Sequence, residues 1–203
     1  FSGGFTQDLP SWGAAFGGQP YFVAKRSGVA QPITTAPFWM AHPSGGLMIA
    51  FGTGRNLTDA DQSSTAQQSL YAVWDPSTFS VSGSTLSLTD AAVVNTPANP
   101  ALSKLVQQSY NGTPVVADGS NYYASTSATV NYASVDANGN RQVFGWYLDW
   151  PMSGQRVLAN IRAFAGQKIL VQSTIPKAAS VNANGESCSP AATAARNFTS
   201  VLN

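Results

Sequence analysis

Residues 31–75 read QPITTAPFWMAHPSGGLMIAFGTGRNLTDADQSSTAQQSLYAVWD. Within them, 34–41 (TTAPFWMA) and 47–51 (LMIAF) are apolar runs separated by His42-Pro43-Ser44-Gly45-Gly46. A linker this short and this rich in turn formers joins antiparallel neighbours, so the two runs read as a hairpin. After the polar excursion 55–68, residues 69–74 (SLYAVW) supply a third strand. The stretch therefore specifies a small antiparallel sheet with a loop inserted before its last strand.

The plan recurs downstream. Residues 156–164, Gly166 and 168–175 repeat strand, turn, strand, and 198–202 begins a further strand. Between the two units, 143–150 (VFGWYLDW) is a strong strand, and the Asn138-Gly139 pair before it favours a tight turn, which makes 128–135 its expected partner. Gly, Pro, Ser, Thr and Asn interrupt most helical periodicity. Residues 60–70, with Asp59 as a plausible N-cap, are weakened by Ser63, Ser64 and Thr65; the one short helix expected is 101–108, which follows Pro100 and carries Leu102, Leu105 and Val106 on one face. Repeated small sheets with long insertions give an all-β class, a partial β-propeller of about two to three blades, with a β-sandwich as the alternative. Residues 1–203 are expected to be part of a single propeller domain, with insertions at about 55–68, 77–129 and 176–195.

Composition narrows the function classes. Only 9% of residues are charged, with Lys+Arg at 10 against Asp+Glu at 9. A chain so nearly neutral has no field to concentrate a polyanion, so nucleic acid is not an expected partner. Abundant Ser, Thr, Asn, Gln and Gly with little charge fits an exported bacterial β protein. Cys188 is the single cysteine, so no internal disulfide forms. No run approaches the ~20 apolar residues of a membrane helix. The chain starts at Phe1, without Met or a signal peptide, which is expected of a processed, excised or partial chain.

A longer pattern is more specific. Gly17-Gly18-Gln19-Pro20-Tyr21-Phe22, Gln31-Pro32-Ile33-Thr34-Thr35-Ala36-Pro37, His42-Pro43, Phe51-Gly52-Thr53-Gly54-Arg55, 68–75 (QSLYAVWD), 145–149 (GWYLD), 153–157 (SGQRV) and the ending NFTSVLN occur in an order and spacing that resembles the C-terminal β-propeller of the PilC/PilY family of type IV pilus tip-associated proteins. The resemblance implies a non-enzymatic, extracellular protein at the bacterial surface or pilus tip, exported through the periplasm. Such a protein acts in pilus assembly, retraction control and adhesion, with minor pilins or the pilus tip complex, and a host or surface receptor, as partners. It also raises calcium as a cofactor, but the family's acidic calcium loop is not recognisable here, and the region that commonly carries adhesive specificity is absent.

Individual residues divide between architecture and chemistry. Gly52-Thr53-Gly54-Arg55 fits no phosphate-binding pattern; its glycines let the backbone leave a strand, and Arg55 has Asp59, Asp61 and Asp75 as candidate partners. Together with Asp75 and Asp149 these residues are expected to be structural. Asp136, Asn138 and Asn140 alternate as in the first half of a calcium loop, but no carboxylate closes it, so a turn nucleated by Asp136 is the preferred reading. Ser134-x-Asp136 lacks the glycine offset of a sialidase Asp-box. With one His and one Cys, His42 would have to serve any Ser-His-Asp or Cys-His arrangement, and no His- or Cys-rich metal site can form. Asp75, Asp149 and Glu186 leave a glycosidase pair arithmetically open. Of the tryptophans, Trp39, Trp74 and Trp146 sit in apolar runs suited to a core, while Trp12 and Trp150 are the candidates for stacking on a ligand. The sequons at Asn56, Asn111 and Asn197 carry no assigned role. A pilus-associated scaffold thus leads, with an independent glycan-binding or adhesive module next and a polysaccharide-active enzyme last.

Overall fold

The computed structural model describes residues 20–88, 101–166, 168–176 and 195–202. Its strands, in chain order, are β1 (Lys25–Arg26), β2 (Val29–Ala30), β3 (Phe38–Ala41), β4 (Leu47–Gly52), β5 (Ser69–Asp75), β6 (Phe79–Ser82), β7 (Thr85–Leu88), β8 (Val106–Gln108), β9 (Val115–Ala117), β10 (Ser120–Tyr122), β11 (Gly145–Asp149), β12 (Arg156–Val157), β13 (Arg162–Phe164), β14 (Lys168–Ile175) and β15 (Arg196–Leu202). The chain is all-β, a partial β-propeller built on two principal sheets.

The first sheet has the order β3-β4-β5-β11-β8. Its first four strands are antiparallel neighbours, and β8 adds to β11 in parallel. The expected hairpin and third strand are therefore present. In the second sheet β14 is central: β12 and β13 share one side of it and β15 lines the other. Three two-stranded ribbons, β1–β2, β6–β7 and β9–β10, lie outside these sheets.

Successive side chains on a strand point to opposite faces, and this period builds two cores around β5. Leu70 and Ala72 face one way, joining Ala50, Leu148 and Trp150 of the first sheet to Val157, Ile161, Ile169 and Val171 of the second. Tyr71 and Val73 face the other, where Phe51 and Tyr147 meet Ala24, Leu105 and Phe144. Because both faces are covered, every residue of β5 up to Trp74 is buried.

Three expectations need correction. The helix expected over 101–108 is a 3-10 turn at Leu102–Lys104 that passes directly into β8, because Val106–Gln108 find main-chain partners on β11. A single α-helical turn, α1 (Asp59–Gln62), forms instead, and its N-cap is Thr58 rather than Asp59. The partner of Gly145–Asp149 is not 128–135 but β5, with Trp146 opposite Ala72 and Tyr147 opposite Tyr71. The Asn138-Gly139 turn closes only the isolated bridge Val135–Arg141. Among the described residues no helix is long and apolar enough to cross a membrane.

Candidate functional site

Gly52 to Arg55 lie where the two principal sheets meet. A Cβ added to Gly52 would fall 2.4 Å from Val157 Cβ, and one added to Gly54, whose φ is +144°, would fall 2.5 Å from Arg156 Cβ. The close approach leaves no room for a side chain at either position. Thr53 is fully buried: its hydroxyl donates to Ser69 O (3.2 Å) and accepts from Ser69 N (2.8 Å), and its carbonyl accepts from Val157 N (3.0 Å).

Next to this joint sits a compact ionic cluster. The buried Arg156 guanidinium donates to four main-chain carbonyls, those of Gly154 (2.9 Å), Arg55 (2.9 Å), Asp61 (2.6 Å) and Ser64 (2.5 Å). Arg55 pairs with Asp61, Nε to Oδ1 at 2.6 Å, and not with Asp59 or Asp75. The other carboxylate oxygen of Asp61 accepts from Leu57 N, Thr58 N and Thr58 Oγ1. Burial alone would raise the Asp61 carboxyl, but the bonds from Arg55, Leu57 and Thr58 outweigh it and hold it at about 2. All these groups are oriented by one another, and Arg55 alone reaches well into solvent.

Asp149 anchors a second polar chain on the opposite face of the first sheet. Its carboxylate accepts from Arg26 (2.5 Å) and from the Ser69 hydroxyl (2.6 Å); Ser69 in turn accepts from Gln31, whose Oε1 accepts from the Tyr71 hydroxyl (2.5 Å). Burial pushes the Tyr71 hydroxyl up to about 12. Sequence reasoning missed Gln31 and Arg26 here, because both come from the segment preceding β3 and only the pairing of Asp149 with Ser69 brings them to one place. Asp75 sits elsewhere, accepting from Ser77 N (2.9 Å) in a turn. It lies six residues along β5 from the position opposite Asp149, a separation of about 20 Å. Two-carboxylate glycoside hydrolysis works at about 5–9.5 Å, so Asp75 and Asp149 do not form such a pair. Glu186 lies outside the described residues.

In the 136–140 loop the Asp136 carboxylate is turned onto its own chain, accepting from Asn138 N (2.9 Å), Asn140 N (2.9 Å) and Asn140 Nδ2 (3.0 Å). These bonds, led by Asn140, lower its pKa. They engage three of the roughly four acceptor sites of the carboxylate. Among the described residues no cluster of His, Cys, Asp or Glu has the makings of a metal site.

The tryptophans divide differently from the sequence expectation. Trp150 is 2% exposed and stacks on Tyr110 with ring centroids 6.3 Å apart, so it is a core residue and not a ligand platform. Trp39, expected in a core, is 67% exposed on the edge strand β3, whose other face carries Phe38 and Met40. Trp12 lies outside the described residues.

An uncharged cleft of about 530 Å³ lies between the first sheet, the end of β15 and the segment 125–132. Phe38, Met40, Met48 and Trp146 form its sheet wall. At one end His42 lies between Trp74 and Tyr132, at centroid distances of 4.7 and 4.4 Å, and Arg141 sits 4.7 Å over Trp74. His42 Nδ1 accepts from Ser44 N, and burial lowers its pKa, so the ring is a neutral hydrogen-bond participant at pH 7. The cleft has the size of recognition sites and sets an apolar sheet wall against polar groups of Gln108, Ser125, Thr126 and Ser127.

Comparison with known proteins places these features in context. The family model described as the PilY1 β-propeller domain matches residues 7–98. The chain is 33% identical over 180 residues to the type IV pilus biogenesis factor PilY1 of Pseudomonas aeruginosa strain PAO1, covering 82% of the chain and 14% of the relative, and the same values hold for the strain PAK protein. The strain UCBPP-PA14 protein is 27% identical over 186 residues, covering 83% of the chain and 15% of the relative. The crystal structure of the P. aeruginosa PilY1 C-terminal domain superposes with a TM-score of 0.63 at 27% identity, covering 81% of this chain and 33% of that one. The chain thus spans about a seventh of the length of these curated relatives.

Proposed function

Because the chain belongs to the PilC/PilY family, with the PilY1-type β-propeller as its matching domain, we propose that it serves in type IV pilus biogenesis as a non-enzymatic scaffold at the bacterial surface. The observation that carries this reading is the 33% identity to PilY1 over 82% of the chain. In this reading 1–203 form part of one propeller domain, and the joint at 52–55 holds neighbouring blades in fixed relation. The partner-binding surface then falls on what the sheets present, namely the uncharged cleft and the insertion at about 77–129 between β5 and β11. Partners of this kind are minor pilins or the pilus tip complex. Roles in assembly, retraction control and adhesion, and a surface or host receptor, follow the same proposal.

The test is retention of minor pilins on the immobilised protein, with folding verified by circular dichroism. Retention that weakens on substituting Met40 and Trp146 with Asp is the expected result. A folded protein that retains no pilin overturns the proposal.

A further inference from the structure

We infer that Asn111 is the position at which the described chain undergoes intramolecular deamidation, its side-chain amide being displaced by the Gly112 nitrogen. Two Asn-Gly pairs fall among the described residues, Asn111-Gly112 and Asn138-Gly139. Glycine leaves the following nitrogen uncrowded and the backbone free to bend toward the side chain. Sequence alone makes the pairs equivalent, but their surroundings do not.

At Asn138 the attacking atom is engaged. Gly139 N donates to Asp136 O (3.0 Å), Asn138 N donates to Asp136 Oδ1 (2.9 Å), and Gly139 is fixed at φ +81° within the turn. Bringing Gly139 N onto the Asn138 side chain requires breaking that turn. At Asn111 both residues are exposed, and Gly112 N has no hydrogen-bond partner among the described residues. Open space surrounds Gly112, and its φ lies outside the left-handed region.

The reaction needs only water. Hydroxide removes the Gly112 N–H proton, and the nitrogen forms a bond to Asn111 Cγ. The Cγ–Nδ2 bond breaks, and the amide nitrogen leaves as ammonia with protons drawn from solvent. Water then adds to one of the two carbonyls of the resulting five-membered imide and cleaves its C–N bond. Opening on the side-chain side gives aspartate; opening on the main-chain side gives isoaspartate. Net, one water enters and one ammonia leaves, with no change in oxidation state.

The isoaspartate product matters for the fold around it. Asn111 N donates to Ala124 O (2.7 Å), Tyr110 bridges to Ser125, Ser109 and Thr126 exchange bonds, and Gln108 holds Ala128. This ladder extends from the end of β8 and supplies the 125–128 wall of the cleft. An extra main-chain methylene at 111 shifts its register and loosens that wall.

The experiment is incubation of the folded protein at mildly alkaline pH followed by peptide mapping for aspartate and isoaspartate, with a parallel sample in denaturant. Conversion at Asn111 roughly fivefold or more faster than at Asn138 is expected, the factor that corresponds to the net worth of one backbone hydrogen bond. In denaturant the two rates should converge, and Gly112→Val, at a position with room for a side chain, should suppress conversion at 111 in a folded protein. Asn138 keeping pace with Asn111 in the folded sample overturns the inference, and so does a rate difference that persists undiminished in denaturant.

Discussion

The two principal sheets follow one plan but are buried unequally. In the first, β5 lies between two cores and is buried throughout except at Asp75. In the second, β14 alternates, with Ile169, Val171 and Ser173 turned inward, and β15 is mostly exposed. The first sheet recruits β11 from far along the chain as a fourth antiparallel strand, whereas among the described residues β15 pairs with β14 alone. The difference teaches that the first sheet is the more deeply packed of the two and that the second meets it at the joint formed by 52–55, Arg156 and Val157.

The largest effect that would break this comparison comes from the shared core. Trp150→Ala should cost about 3–5 kcal/mol, as removal of a buried aromatic does, while Trp39→Ala on the exposed edge should stay within about 0.5 kcal/mol. Urea titration of both variants measures it, and similar losses would mean that the edge of the first sheet is as integral as its centre. A smaller effect sharpens the joint itself. Gly52→Ala should destabilise by about 1–3 kcal/mol through collision with Val157, and on a Val157→Gly background, which lacks the Cβ it strikes, Gly52→Ala should cost less. Additive penalties in the double-mutant cycle would show that the two positions do not meet.

The smallest effect concerns pH. Asp61 is held at about 2 in the folded chain, below its unfolded value of roughly 3.9, so the unfolded chain binds more protons across that interval. The stability Asp61 contributes is complete above about pH 4 and is lost as pH falls toward 2. Asp61→Asn should therefore flatten the acid limb of thermal unfolding over that window. An unchanged limb would remove Asp61 from the joint's energetics.

Local signals made the first hairpin and the third strand legible in the sequence. Two apolar runs, a Gly-containing turn and a following run with alternating faces need no information from elsewhere. The strand at 145–149 was legible too, but its neighbour was not: periodicity reports which face a residue occupies, never which strand lies beside it. The same limit explains residues 101–108, where Pro100 and three spaced apolar residues suggested a helix and main-chain pairing with β11 gave a strand. The role of Arg156 was not legible because the carbonyls it gathers are scattered over 55–64 and 154. Trp39 and Trp150 exchanged roles because an apolar run marks a strand without saying whether it lies at an edge.

The pairing of Gly145 with Val73 has a consequence for how such a domain diversifies. The chain leaves β5 and returns as β11 at a point where main chains lie ~5 Å apart, so everything between is tethered at both ends to the most rigid part of the molecule. Doubling the length of a tethered excursion adds only about 0.6 kcal/mol of closure entropy. Outside β8 and the residues it commits to the cores and to Trp74, namely Leu105, Tyr110, Tyr132 and Phe144, that excursion can change length at little cost while the blade that carries it stays the same.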